Sequence, residues 1–93
     1  MSLALYSEDG FATELGSATA MDKFMQNVEQ YKDNTPALNE LMTLGYTDTI
    51  DKVVDDLSTV LNVIKDKGVK SVGESLKDGL VKIKNKEIAI ISQ

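Results

Sequence analysis

Residues 50–64 constrain this chain more than any other stretch. Ile50, Val53, Val54, Leu57, Leu61 and Ile64 recur at i, i+3, i+4 and i+7, and Val60 and Val63 widen the stripe. At 3.6 residues per turn these side chains share one side of a helix. A stripe that wide has to be covered by other elements. Nothing in the composition replaces such burial. The 93 residues include no cysteine and no histidine, which rules out disulfides and thiolate or imidazole metal sites. A domain this size buries only about 60–65% of its unfolded surface. Packing must therefore supply its stability, with burial in an oligomer as a supplement.

Three further helices are expected. The first runs from about Ala18 to Asp33, with Ser17 or Thr19 as N-cap and Met21, Phe24, Met25, Val28 and Tyr31 on one face. Asn34-Thr35-Pro36 ends it, because the residue before proline is pushed out of the α region. Pro36 then opens a second helix, with Thr35 at the N-cap and proline at N1. Leu38, Leu41, Met42 and Leu44 give its apolar face, Gly45 reads as a left-handed C′ residue, and Tyr46 is placed to pack on Leu41. The striped third helix takes its cap from Thr47 or Asp48. Asp48 and Asp51 in its first turn and Lys65 and Lys67 in its last match the helix dipole, and Gly68 closes it. A fourth helix is expected from Ser71, where Ser71-Val72-Gly73-Glu74 forms a capping box, with Val72, Leu76, Leu80 and Ile83 facing inward. Gly73 and Gly79 each cost about 1 kcal/mol against alanine in a helix interior, so this helix needs tertiary support or a close neighbour.

The two ends are less regular. Glu8-Asp9-Gly10 is a turn signal and Gly16 a second break; Phe11 and Leu15, four apart, suggest one helical turn. Residues 81–91 allow two readings. Val81-Lys82-Ile83-Lys84 alternates and Glu87-Ile88-Ala89-Ile90-Ile91 is β-branched, which suits a hairpin turning at Asn85-Lys86. The favoured reading continues the fourth helix through Lys86. Gly45-Tyr46-Thr47-Asp48 and Gly68-Val69-Lys70-Ser71 lie 23 residues apart and read as shared capping grammar rather than a repeat. The expected fold is all-α, a small antiparallel bundle of three to four helices, with a short C-terminal strand or hairpin as the open alternative. Its parts are an N-terminal arm (1–16), a helical domain (17–84) and an apolar C-terminal tail (85–93).

The chemistry is sparse. Without histidine, cysteine, arginine or tryptophan, the common routes to nucleophilic catalysis and phosphate clamping are closed. No spaced acid–base pair is visible, and the chain reads as a non-enzyme with no catalytic, cofactor or metal residues. Asp48, Asp51, Asp55 and Asp56 form the densest set of hard-cation ligands, but all come from one segment. They read as dipole compensation and a solvated face, with a Lys52–Asp56 pair. Gly73-Glu74-Ser75-Leu76 resembles the Asp-Ser-Leu site of acyl carrier proteins, which would make Ser75 a phosphopantetheine serine. Here glutamate replaces aspartate and only eighteen residues follow Ser75, so Ser75 reads as an exposed helix residue.

The formal charge is −5, unevenly spread: residues 1–64 hold three lysines and eleven acids, residues 65–93 seven lysines and four acids. Lys65, Lys67, Lys70, Lys77, Lys82, Lys84 and Lys86 outline a basic region on a helix–Gly68–helix frame. Yet Glu74 sits where a helix-turn-helix needs an apolar residue, and an acidic body argues against nucleic acid. No stretch reaches the ~18 apolar residues of a membrane span, and the start lacks a basic leader, which sets the expectation of a cytoplasmic protein. The leading functional expectation is a helical protein–protein interaction module, an accessory or regulatory subunit that associates with itself or another protein. The alternatives are a carrier of an apolar ligand lined by Met21, Phe24, Met25 and Met42, and a DNA-associated regulator using the C-terminal lysines.

Overall fold

The computed structural model describes residues 2–83 and 87–93. It corrects the all-α expectation: four helices pack with a four-stranded antiparallel sheet. In chain order the elements are β1 (Ser2–Ser7), β2 (Gly10–Ser17), α1 (Ala18–Glu29), α2 (Pro36–Leu44), β3 (Tyr46–Thr47), α3 (Ile50–Leu61), α4 (Lys67–Lys82) and β4 (Ala89–Ser92). The sheet order is β2-β1-β4-β3, so the last strand inserts between the first and the third.

The residues expected as an N-terminal arm form a hairpin turning at Glu8-Asp9. Two register shifts skip Ala12 and Leu15 on β2. These bulges explain why the strand was hard to see. Each extra residue breaks the two-residue alternation by which a strand is recognised. Phe11 and Leu15 do not share a helical turn: Leu15 is buried in the core, whereas Phe11 is 63% exposed.

The helices follow their apolar stripes with shifted ends. Ser17 Oγ caps α1 by accepting from the Ala20 N–H at 3.1 Å. That helix stops at Glu29, short of Asp33, and turns carry the chain to Asn34. Pro36 is N1 of α2 as expected, but the Thr35 hydroxyl donates back to the Tyr31 carbonyl at 2.9 Å. The open end of α2 is capped from elsewhere. Asp56 Oδ2 on α3 accepts from the Ala37 and Leu38 N–H groups at 2.9 and 3.0 Å. Such a carboxylate satisfies orphan donors and complements the dipole together.

Gly45 does take the left-handed conformation, with φ +80°, and its N–H donates to the Leu41 carbonyl. Tyr46 then leaves the helix. It enters β3 opposite Ile90, and the Gly45 carbonyl accepts from the Ile91 N–H at 2.8 Å. Helix α3 begins after Thr49 rather than after Thr47 or Asp48, so Asp48 lies outside it. It ends at Leu61, which removes Lys65 and Lys67 from its last turn. Asp66 then caps α4, its Oδ1 accepting from Gly68 and Val69 at 2.9 and 3.1 Å. Gly68 is thus in the first turn of α4 rather than a helix stop, and the Ser71–Glu74 box lies inside the helix. The earlier cap wins because nothing between Asp66 and Ser71 interrupts helical geometry. The likeness between the Gly45 and Gly68 segments therefore has no structural counterpart.

Helix α4 is the centre of the molecule, packed against α1, α3 and β2. Its two interior glycines make that possible. A Cβ at Gly73 would stand 2.7 Å from the Phe24 ring and 2.8 Å from Leu61 Cδ2. A Cβ at Gly79 would overlap Thr13 and stand 2.7 Å from Leu5 Cδ2. Glycine lets the helix axis approach α1 and α3 on one side and the sheet on the other, which offsets its propensity cost. The predicted inward faces largely hold: Phe24, Leu38, Leu41, Ile50, Leu57, Leu76 and Leu80 are fully buried. Chain in the C-terminal tail forms β4, the strand alternative for this region, but its partners are β1 and β3. Val81 and Lys82 remain helical. The supposed turn at Asn85-Lys86, and the helical continuation there, lie outside the described residues.

Candidate interaction surface

Alternation along β1 assigns its side chains to two faces. Leu5 points to the helices, since it meets the Gly79 position on α4. Tyr6, its neighbour, therefore points away. Directly paired residues on adjacent strands share a face. Tyr6 pairs with Phe11 on β2 and with Ile90 on β4, and Ile90 pairs with Tyr46 on β3. The register thus builds one row, Phe11–Tyr6–Ile90–Tyr46, across all four strands on the face opposite the helices. Phe11 is 63%, Tyr46 49% and Ile90 40% exposed, and Tyr6 is half-buried. Tyr6 and Phe11 meet edge to face with ring centroids 6.0 Å apart, an arrangement favoured by the ring quadrupoles. Beside this ridge runs a second row, small at Ala4 and Ser92 and charged at Glu14. Ala4 pairs with Ser92 on one side and Glu14 on the other. Ridge and second row stand two residues apart, about 7 Å along the strands.

The sequence did not point to this row. Its four members come from four segments and meet only through sheet register. The available signal was the pair of aromatic residues flanking Glu8-Asp9, where Tyr6 and Phe11 face each other across a turn.

The acidic set is dispersed. Asp48 precedes α3, Asp51 and Asp55 are exposed on it, and Asp56 is committed to the end of α2 rather than to Lys52. Among the described residues no three acidic side chains gather as metal ligands. Ser75 is a half-buried residue inside α4. The helix–glycine–helix frame proposed for the lysines is not formed, because Gly68 belongs to α4; Lys84 and Lys86 lie outside the described residues. The four residues of the apolar-pocket reading separate. Met21 and Phe24 are core, while Met25 and Met42 line an open groove between α1 and α2. Among the described residues no helix is long and apolar enough to cross a membrane.

In comparisons with known proteins, no family model, curated protein or solved structure matches this chain.

Proposed function

We propose that this chain is a non-enzymatic protein–protein interaction module, an accessory or regulatory subunit that associates with a second copy through the open face of its sheet. The exposed row Phe11–Tyr6–Ile90–Tyr46 carries this reading. A contiguous apolar ridge on a small domain is costly to leave in water and is the usual mark of a contact surface. The parallel row, low at Ala4 and Ser92 and bounded by Glu14, supports a second copy as the occupant. A two-fold axis lying between the two sheets and parallel to the ridge lays the ridge of each copy against the parallel row of the other, an isologous contact of the aligned-sandwich kind. At ordinary strand spacing and rise the face measures roughly 19 by 20 Å, about 400 Å². That is half the ~800 Å² per partner of a standard stable interface. The expected dimer is therefore weak, with a Kd between roughly 10 µM and 1 mM. The lack of histidine and cysteine supports the non-enzymatic part of the proposal.

Sedimentation equilibrium over that concentration range tests the proposal. A monomer–dimer equilibrium that Tyr46→Thr shifts to monomer supports it. A strict monomer at the highest concentration rejects self-association, and unchanged dimerisation in the variant rejects the face.

A further inference from the structure

The groove between α1 and α2 has a composition unlike the sheet face. On α1 it is lined by Asp22, Met25, Gln26, Val28 and Glu29, and on α2 by Asn39, Met42 and Thr43. Asp22, Met25, Gln26 and Glu29 follow i, i+3, i+4, i+7 spacing, and Asn39, Met42 and Thr43 follow i, i+3, i+4. Each helix therefore presents one continuous stripe to the groove, bordering its core stripe at Val28 and Met42. The apolar lining is Val28, which is buried, with Met25 36% exposed and Met42 half-buried. Methionine side chains adapt to partners of varied shape. The groove holds about 350 Å³. Among the described residues its only charged lining groups are the two carboxylates, both exposed. Lys23, although next to Asp22, borders a different cleft with Asp66 and Val69. Asp22 and Glu29 are two helical turns apart, about 10 Å along α1.

We propose that this groove docks an amphipathic helix of a partner protein bearing apolar side chains flanked by lysine or arginine two turns apart. The apolar side chains seat on Met25 and Met42, and the cations meet Asp22 and Glu29. Charge complementarity selects the partner: a groove with two carboxylates and no cation in its lining disfavours an acidic helix and attracts a basic one.

The test uses the full chain and a fluorescein-labelled helical peptide of leucine, alanine and lysine, with lysines at i and i+7 and leucines at i+3 and i+4. Fluorescence anisotropy gives the affinity, and amide shift mapping gives the location. The expected result is saturable binding that weakens as salt rises from about 50 to 300 mM. Shifts should centre on residues 22–29 and 39–43, and the Asp22→Lys/Glu29→Lys double variant should bind at least fivefold more weakly. Both positions are exposed, so circular dichroism should show that variant folded. A glutamate-for-lysine peptide should not bind. Absent binding, binding indifferent to charge reversal and salt, or shifts centred elsewhere would overturn the proposal. Loss of self-association in the double variant would also overturn it, by making a second copy the occupant. The Phe11→Thr/Tyr46→Thr variant should bind the peptide as the parent chain does, which keeps this test separate from that of the sheet face.

Discussion

The two faces of the sheet are built from the same strands and end in opposite circumstances. On the helix side, Leu5 is fully buried and fits an approach so close that α4 carries glycine at position 79. On the other side, Tyr6, Phe11, Ile90 and Tyr46 form a ridge that stays largely open to solvent. One face is covered by helices within the chain. The other displays larger side chains that contribute little to the fold of a single copy. The difference separates residues the fold requires from residues available for contact.

The largest expected effect falls on the covered face. Leu5→Ala removes a fully buried side chain beneath α4 and should cost about 2–5 kcal/mol in urea unfolding. Gly79→Ala comes next. Its new methyl group would press on the side-chain ends of Thr13 and Leu5, and a 1–3 kcal/mol overpacking cost is set against the ~1 kcal/mol gain in helix propensity. A net loss of up to about 2 kcal/mol in thermal or chemical unfolding is expected; a gain would mean that helix and sheet are not in close contact there.

Asp56→Ala tests a contact between helices rather than a face. It leaves the Ala37 and Leu38 N–H groups without their acceptor and should cost about 0.5–2 kcal/mol. Hydrogen exchange should quicken first at the start of α2. Exchange that quickens uniformly would show that Asp56 does not act as the cap. The smallest effect on stability belongs to the open face. Phe11→Thr and Tyr46→Thr keep strand propensity and should each change stability by less than about 1 kcal/mol. If either costs as much as Leu5→Ala, the ridge is part of the core and the distinction between the faces fails.

The helical interior was legible because it is local. The stripes at Met21-Phe24-Val28, Ile50-Val53-Leu57 and Val72-Leu76-Leu80 lie within single helices, and the buried residues follow them. Capping was legible at Ser17, Pro36 and Gly45 for the same reason. The sheet was not. Its hairpin carries bulges at Ala12 and Leu15 that break alternation, and Ala4 between Leu3 and Leu5 makes β1 apolar on both faces. Strand β4 pairs with residues at the opposite end of the sequence, and no local window contains that information. The cap supplied by Asp56 is equally non-local, reaching back to Ala37 across 19 positions. The interaction surface was hidden most completely, since every member depends on the register of a sheet that was not foreseen.

Deleting the C-terminal strand would not isolate the open face, because β4 sits between β1 and β3 and also carries buried Ala89. The direct measurement is sedimentation equilibrium of the parent chain and the Phe11→Thr/Tyr46→Thr variant at matched concentrations up to about 1 mM. The account predicts a rising dimer fraction in the parent and a folded monomer throughout in the variant. Equal dimer fractions in both, or a parent that stays monomeric, would contradict it.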